Sequence, residues 1–146
     1  MSAQLRALAK DKGTTLYTVG LAALYVMLGK FSGQKDIVVG TPSDNRHHAQ
    51  TQSLIGMFVN SLAMRMYWEA DETVSGLIAR THDCVAQARA HQDLPFEQLI
   101  DLLGVERDTS RHPIFQVLFS VQRFGEMDSQ EVTDAGRALP FEQVDL

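Results

Sequence analysis

Cysteine is almost absent from this sequence: Cys84 is the only one in 146 residues. A lone thiol excludes an internal disulfide framework and a structural zinc site built from cysteines. Cations are also scarce. Thirteen Lys/Arg face eighteen Asp/Glu, giving a formal net charge of -5 and a pI near 5.4, a balance that argues against nucleic acid as the main partner. Long apolar runs are missing too. One long stretch without a charge, Gly13 to Gly29, is seventeen residues and includes Thr14, Thr15, Tyr17 and Thr18. A membrane helix needs about 20 mainly apolar residues, so a buried core helix is expected there and no membrane partner. The opening Met1 to Lys12 is polar and charged rather than leader-like, so the expected address is cytoplasmic. Several catalytic signatures are absent as well. Gly29-Lys30-Phe31-Ser32-Gly33 has neither Walker spacing nor a dinucleotide fingerprint, and neither G-x-S-x-G nor H-E-x-x-H occurs. No metal site is expected from the five histidines, His47, His48, His82, His91 and His112.

What is present is a core. Leu, Ile, Val and Phe number 16, 5, 12 and 7, enough for one folded domain of ordinary size. Charge is unevenly spread: residues 1–50 hold six Lys/Arg against three Asp/Glu, and residues 51–146 hold seven against fifteen. The simplest account of the acidic excess is a solvated face.

Hydrophobic spacing gives an α/β reading. Leu5, Leu8 and Ala9 predict a short amphipathic helix ending near Gly13, and Thr14 or Thr15 is placed to cap the next. That second helix is apolar around most of its circumference, which predicts a sandwiched position, and Ser32-Gly33 ends it. Asp36 to Gly40 reads as a short strand covered on both faces, followed by a polar loop from Thr41 to Gln52. Periodicity leaves Leu54 to Val59 unassigned. Ser61 to Trp68 alternates, with Leu62, Met64, Met66 and Trp68 on one face. Asp71 is expected to cap a helix carrying Glu72 in its first turn and Val74, Leu77, Ile78, Thr81, Val85 and Ala88 on its inner stripe, with Cys84 as a small buried hydrophobe. Pro95 opens a helix striped by Phe96, Leu99, Ile100 and Leu103, and Gly104 closes it. Phe115, Val117, Phe119 and Val121 alternate as a strand; residues 125–138 read as a flexible loop, and Phe141 to Leu146 as a further strand.

Four segments then stand in series: DIVVGTPSDNR (Asp36 to Arg46), LIGMFVNSLAMR (Leu54 to Arg65), HQDLPFEQLIDLL (His91 to Leu103) and RDTSRHPIFQVLF (Arg107 to Phe119). In this order and spacing, with TLYTVGLAALYVMLGKFSGQ before them, they resemble the condensation domains of nonribosomal peptide synthetases, over roughly Leu5 to Gln122. The resemblance implies a chloramphenicol-acetyltransferase-like fold of two lobes. It implies amide formation between substrates held as thioesters on the phosphopantetheine arms of donor and acceptor carrier proteins. It also implies that no cofactor is bound directly and that an adenylation domain is a possible neighbour.

The family's hallmark, HHxxxDG, is not in these residues. His47-His48 is followed three residues later by Gln52-Ser53, not Asp-Gly. The expectation is therefore that residues 1–146 are part of a C-terminal lobe, with a mixed sheet packed by helices. It is expected to carry no catalytic residue, to be inactive without the N-terminal lobe, and to tend to self-associate around Met64 and Phe119. By resemblance, Asn60 is expected near the substrate tunnel, with Gly56 and Phe58 shaping its segment. Gln92, Asp93, Pro95, Phe96 and Glu97 are expected to be mainly structural, with Asp93 capping the helix. Arg107, Asp108, Ser110 and Arg111 are expected to form a local turn network, and Arg46 to bind an internal carboxylate. Two other classes stay open: a non-catalytic scaffold that holds a carrier protein or neighbouring domain, and a related acyltransferase or epimerisation domain.

Overall fold

The computed structural model describes residues 2–46, 54–67, 71–105, 108 and 110–122. Arg107, the His47-His48 pair, Trp68, the 125–138 stretch and Phe141 to Leu146 lie outside them. Six elements follow in order: α1 (Ser2–Asp11), α2 (Leu16–Ser32), β1 (Asp36–Ser43), β2 (Asn60–Tyr67), α3 (Val74–Ala90) and α4 (Phe96–Leu103).

The strands form an antiparallel pair in which Val39 faces Met64 and Ser43 faces Asn60. Period-2 alternation sends Ile37, Val39, Leu62, Met64 and Met66 to one face, where they pack on Leu21, Ala22 and Tyr25 of α2 and Leu77, Ile78 and Val85 of α3. Val38 and Ala63 point the other way, against Phe96, Ile100 and Phe115. The sheet is thus covered on both sides, which explains why β1 reads as a continuous apolar run. Burying a side chain such as Leu21 or Met64 stabilises by roughly 1.5–3 kcal/mol, before entropy is charged against it.

Helix ends follow side-chain chemistry. Thr15 caps α2, its Oγ1 accepting from Thr18 N at 3.2 Å, and Gly33 ends the helix in the left-handed conformation at φ 69°. For α3 the expected cap moves. Thr73, not Asp71, accepts from Gly76 N at 3.1 Å. Glu72 precedes the helix instead of sitting in its first turn, and its carboxylate takes Arg80 Nη1 at 2.9 Å. The hydroxyl wins because it sits one residue before the first helical residue, where it reaches the unpaired amide. Arg80 also donates to Tyr67 O, and Cys84 Sγ to Arg65 O, so α3 is pinned along β2. Val74, expected on the inner stripe, is largely exposed because it lies at the helix start, beyond the sheet.

Two strand expectations change. β1 continues through Thr41, Pro42 and Ser43, residues that read as loop; Pro42, which lacks an N–H, sits opposite Ser61 near the strand end. The segment from Phe115 to Val121 keeps its alternation, with Phe115 buried and Gln116 and Leu118 exposed, but it is not a full strand. It meets β1 at a single parallel bridge, where Gly40 N donates to Val117 O and Phe119 N to Gly40 O, both at 2.8 Å. The Phe115 ring lies over Gly40, where any Cβ would collide with it. A parallel bridge thus stands beside the antiparallel β1–β2 pair.

Among the described residues no single helix is long and apolar enough to cross a membrane. Met64 is buried and Phe119 half-buried; exposed apolar side chains include Ile55, Met57 and Val59 before β2, Phe31 on α2, and Leu102 and Leu103 at the end of α4.

Candidate functional site

On the α2–α3 face of β1, apolar side chains give way to hydroxyls. Ile37 and Val39 are followed at the same two-residue spacing by Thr41 and Ser43. Beyond them opens a cavity of about 580 Å³, lined by this strand end with Asp44 and Arg46, by Tyr17 of α2, Val85 and Arg89 of α3, Leu62 and Met64 of β2, Gln92, and the segment Ser120 to Gln122. The floor is apolar and the walls are mostly neutral hydrogen-bonding groups. Thr41 Oγ1 donates to Phe119 O at 2.8 Å and fixes the segment that closes the cavity.

Tyr17 stands against Phe119, ring centroids 5.3 Å apart. Its hydroxyl oxygen is buried without completing a hydrogen bond. Burial holds its pKa above the ordinary phenol value, with Thr41 and Arg89 opposing the rise in part. It therefore remains protonated at neutral pH and acts as a donor.

Two side chains organise the backbone around the cavity. The first is Asn60, at the start of β2. Its Nδ2 donates to Gln92 O at 2.9 Å and Leu94 O at 2.8 Å, while Oδ1 accepts from Ser61 N at 2.9 Å and Phe96 N at 3.1 Å. Both donors of the carboxamide are thus spent on backbone. Asp93 does not cap α4: Pro95 occupies the cap position with no side-chain bond, and the first helical amide, Phe96 N, is held from a distance by Asn60. Glu97 lies in the exposed first turn of α4, where its charge suits the helix dipole.

The second organiser is Arg46. Its Nη1 reaches Leu54 O at 2.8 Å, its Nη2 reaches Gly56 O at 2.9 Å, and its guanidinium carbon lies 4.4 Å above the Phe58 ring. Among its contacts Arg46 thus takes two carbonyls and an aromatic face. Gly56 leaves room for the Phe58 ring beside it.

Of the residues singled out from sequence, Arg46 and Gln92 line the cavity. Asn60, Gly56 and Phe58 belong to the scaffold beside it. Asp108, Ser110 and Arg111 lie in a separate turn, where Asp108 Oδ1 accepts from Ser110 N at 2.8 Å and Oγ at 2.7 Å and Oδ2 from Arg111 Nε at 3.0 Å. Those bonds hold the Asp108 carboxyl below its ordinary pKa, the Ser110 hydroxyl contributing most.

Tyr17, Thr41, Ser43, Arg89 and Ser120 were not foreseen. Thr41 and Ser43 were legible in principle, since they continue the inward parity of Ile37 and Val39. Arg89 was as well, one turn beyond Val85. Nothing in sequence placed Ser120 beside them.

Chemically, the cavity can hold and orient a neutral ligand. No histidine lines it, and Asp44 is its only carboxylate among the described residues. His82 is engaged elsewhere, with Thr14 Oγ1 at 2.9 Å from Nδ1, and His112 stacks on Phe115 with centroids 4.0 Å apart. No group of three or more His, Cys, Asp or Glu among the described residues is arranged to hold a metal.

A condensation-domain family model matches residues 1–144. Surfactin synthase subunit 1 of Bacillus subtilis (strain 168) is 50% identical over 119 residues, covering 82% of this chain and 3% of that protein. Among solved structures, a holo four-domain nonribosomal peptide synthetase bound to AMP and glycine superposes with a TM-score of 0.83 at 30% identity, over 97% of this chain and 10% of that one. The X-domain from teicoplanin biosynthesis, solved in complex with OxyB, gives 0.73 at 31% identity, over 80% and 26%. The chain thus spans only a small fraction of the proteins it matches.

Proposed function

We propose, from the premise that the chain belongs to the condensation-domain family of nonribosomal peptide synthetases, that it supplies part of the C-terminal lobe of an amide-forming domain and forms no amide by itself. In the reaction the family performs, the acceptor's amine attacks the donor's thioester carbonyl. The C–N bond forms, the C–S bond breaks, the pantetheine sulfur leaves as thiol, and the amine gives up its proton to a base. The phosphopantetheine arms belong to the donor and acceptor carrier proteins.

The observation that carries this reading is the character of the cavity. Among the described residues it offers hydroxyl and amide groups beside Leu62, Met64 and Val85 and no histidine, which suits holding an acyl group but not deprotonating an amine. The base is assigned to the HHxxxDG histidine of a partner N-terminal lobe. The exposed run Ile55, Met57 and Val59 supplies apolar surface for such a partner.

The test is complementation. Supplied with donor- and acceptor-loaded carrier proteins, the chain alone is expected to yield no amide by intact-mass analysis; adding an N-terminal lobe bearing HHxxxDG is expected to restore product. Turnover by the chain alone, or persistent silence with a lobe that demonstrably binds it, overturns the reading. The likeness to the teicoplanin X-domain, solved with OxyB bound, favours a second reading, a binding module without chemistry. Stable capture of a neighbouring synthetase protein together with failed complementation would select it.

A further inference from the structure

Gln92 is held in an unusual way for a residue in a turn. Its N–H donates to Arg89 O at 3.3 Å, and its carbonyl accepts from Asn60 Nδ2, so its backbone is fixed on both sides. Its side chain is oriented as well. Ser43 Oγ accepts from Asn45 N at 3.4 Å and donates to Gln92 Oε1 at 2.9 Å. A hydroxyl has one proton, so a Ser43 that gives it to Gln92 must meet the carbonyl end of that amide. The NH₂ end is thereby turned away from Ser43. Among the described residues Nε2 makes no hydrogen bond, and Gln92 lines the cavity. Tyr17 lies on the same lining, its hydroxyl buried beside Thr41.

One oriented, neutral donor beside Leu62, Met64 and Val85 matches an uncharged acceptor attached to an apolar group. An anion fits less well. Arg46 is engaged by Leu54 O, Gly56 O and Phe58, and the lining includes the Asp44 carboxylate, which repels an anion.

We propose that this cavity receives the acyl group of a thioester substrate and that Gln92 Nε2 donates the hydrogen bond that positions the thioester carbonyl oxygen, with Ser43 setting the direction of the amide. The inference rests on the acyl-transfer reading above and assigns Gln92 a binding role in place of a purely structural one.

The experiment titrates the 146-residue chain with two soluble probes, the N-acetylcysteamine thioester of N-acetylalanine and the matched thioether with CH₂ in place of the thioester carbonyl. One hydrogen bond is expected to make the thioester bind about 3- to 10-fold more tightly. Gln92→Glu keeps an acceptor for Ser43 but loses the donor. Gln92→Met keeps the length and removes both functions. Each is expected to abolish the preference for thioester over thioether while circular dichroism stays unchanged. Ser43→Ala is expected to reduce that preference without abolishing it. A preference that survives in both Gln92 variants overturns the role of Gln92. Equal binding of the two probes by the unaltered chain, or binding of neither, overturns the acyl site itself. None of these outcomes decides the complementation assay, so failure of this inference and failure of the amide-forming reading are read separately.

Discussion

The carboxamide oxygen of Asn60 lies 3.1 Å from the backbone nitrogen of Phe96, thirty-six residues away, and satisfies the first amide of α4, one of those with no partner inside the helix. The same side chain holds Gln92 O and Leu94 O. The start of β2 and the turn into α4 are therefore one unit, fastened by a single amide. Asn60→Ala is expected to remove the side-chain partner of two carbonyls and two N–H groups and to lower stability by roughly 2–3 kcal/mol, read as a lower urea midpoint. Asn60→Asp keeps the acceptor but sets a carboxylate against two carbonyl oxygens. Its loss is expected to be larger at pH 7 than at pH 4, because protonation restores one donor.

Gly40 and Phe115 make a second interlock. Phe115 lies in the space a Cβ on Gly40 would fill, and its ring packs with Phe96 at 5.5 Å. Gly40→Ala is expected to cost roughly 1–3 kcal/mol by overpacking. Phe115→Leu is expected to cost stability alone yet to relieve part of the Gly40→Ala penalty. Urea unfolding of the two single variants and the double variant checks this; strictly additive losses would show that the ring is not what excludes the Cβ.

Much of this architecture was legible because it depends on local periodicity. The inner faces of β1 and β2, the stripes of α3 and α4, and the glycine stops at Gly33 and Gly104 follow from spacing alone. What was not legible depends on distant partners. Pro42 and the hydroxyls of Thr41 and Ser43 look like loop until β2 pairs with them. Asp93 looks like a cap until Asn60 takes the amide. Phe115 to Val121 has ideal strand alternation, but it meets β1 only at the Gly40–Leu118 bridge. The candidate site suffered most, since its cavity is assembled from five separate stretches of chain and only Arg46 and Gln92 of its lining had been singled out as site residues.

Acid stability offers a third check. Asp36 receives Arg65 through both carboxylate oxygens, Nε at 2.9 Å and Nη2 at 2.6 Å, and that hydrogen bonding holds its pKa below the ordinary value; Asp108 is held down by Ser110 and Arg111. A carboxyl with a depressed folded-state pKa contributes stability above its unfolded pKa and loses it as pH falls through the folded value. The chain is therefore expected to lose stability from about pH 4 downward. The double variant Asp36→Asn, Asp108→Asn is expected to show a shallower loss between pH 5 and pH 2.5 in urea titrations. Because both carboxylates are exposed, the effect should shrink as salt is raised. An unchanged acid slope would mean that neither pair contributes.

The exposed apolar residues give the last prediction. Arg46 holds the carbonyls of Leu54 and Gly56, so the run before β2 is fixed at its backbone while Ile55 and Met57 project almost wholly into solvent. Ordering apolar side chains outward is unfavourable unless another surface covers them. In the absence of a partner lobe, a second copy of the chain is the available cover. Sedimentation is expected to show concentration-dependent self-association, strengthened by salts that favour burial and weakened by Ile55→Asp with Met57→Asp. These two changes touch neither the core nor the cavity, so the urea midpoint should stay within about 0.5 kcal/mol of the parent. If association persists in this variant, the contact lies elsewhere, and Phe31 on α2 or Leu102 and Leu103 on α4 become the next positions to charge. If the parent chain is monomeric at high concentration, the projecting run does not drive association, and its use as lobe-facing surface then rests on whether the aspartate pair abolishes complementation.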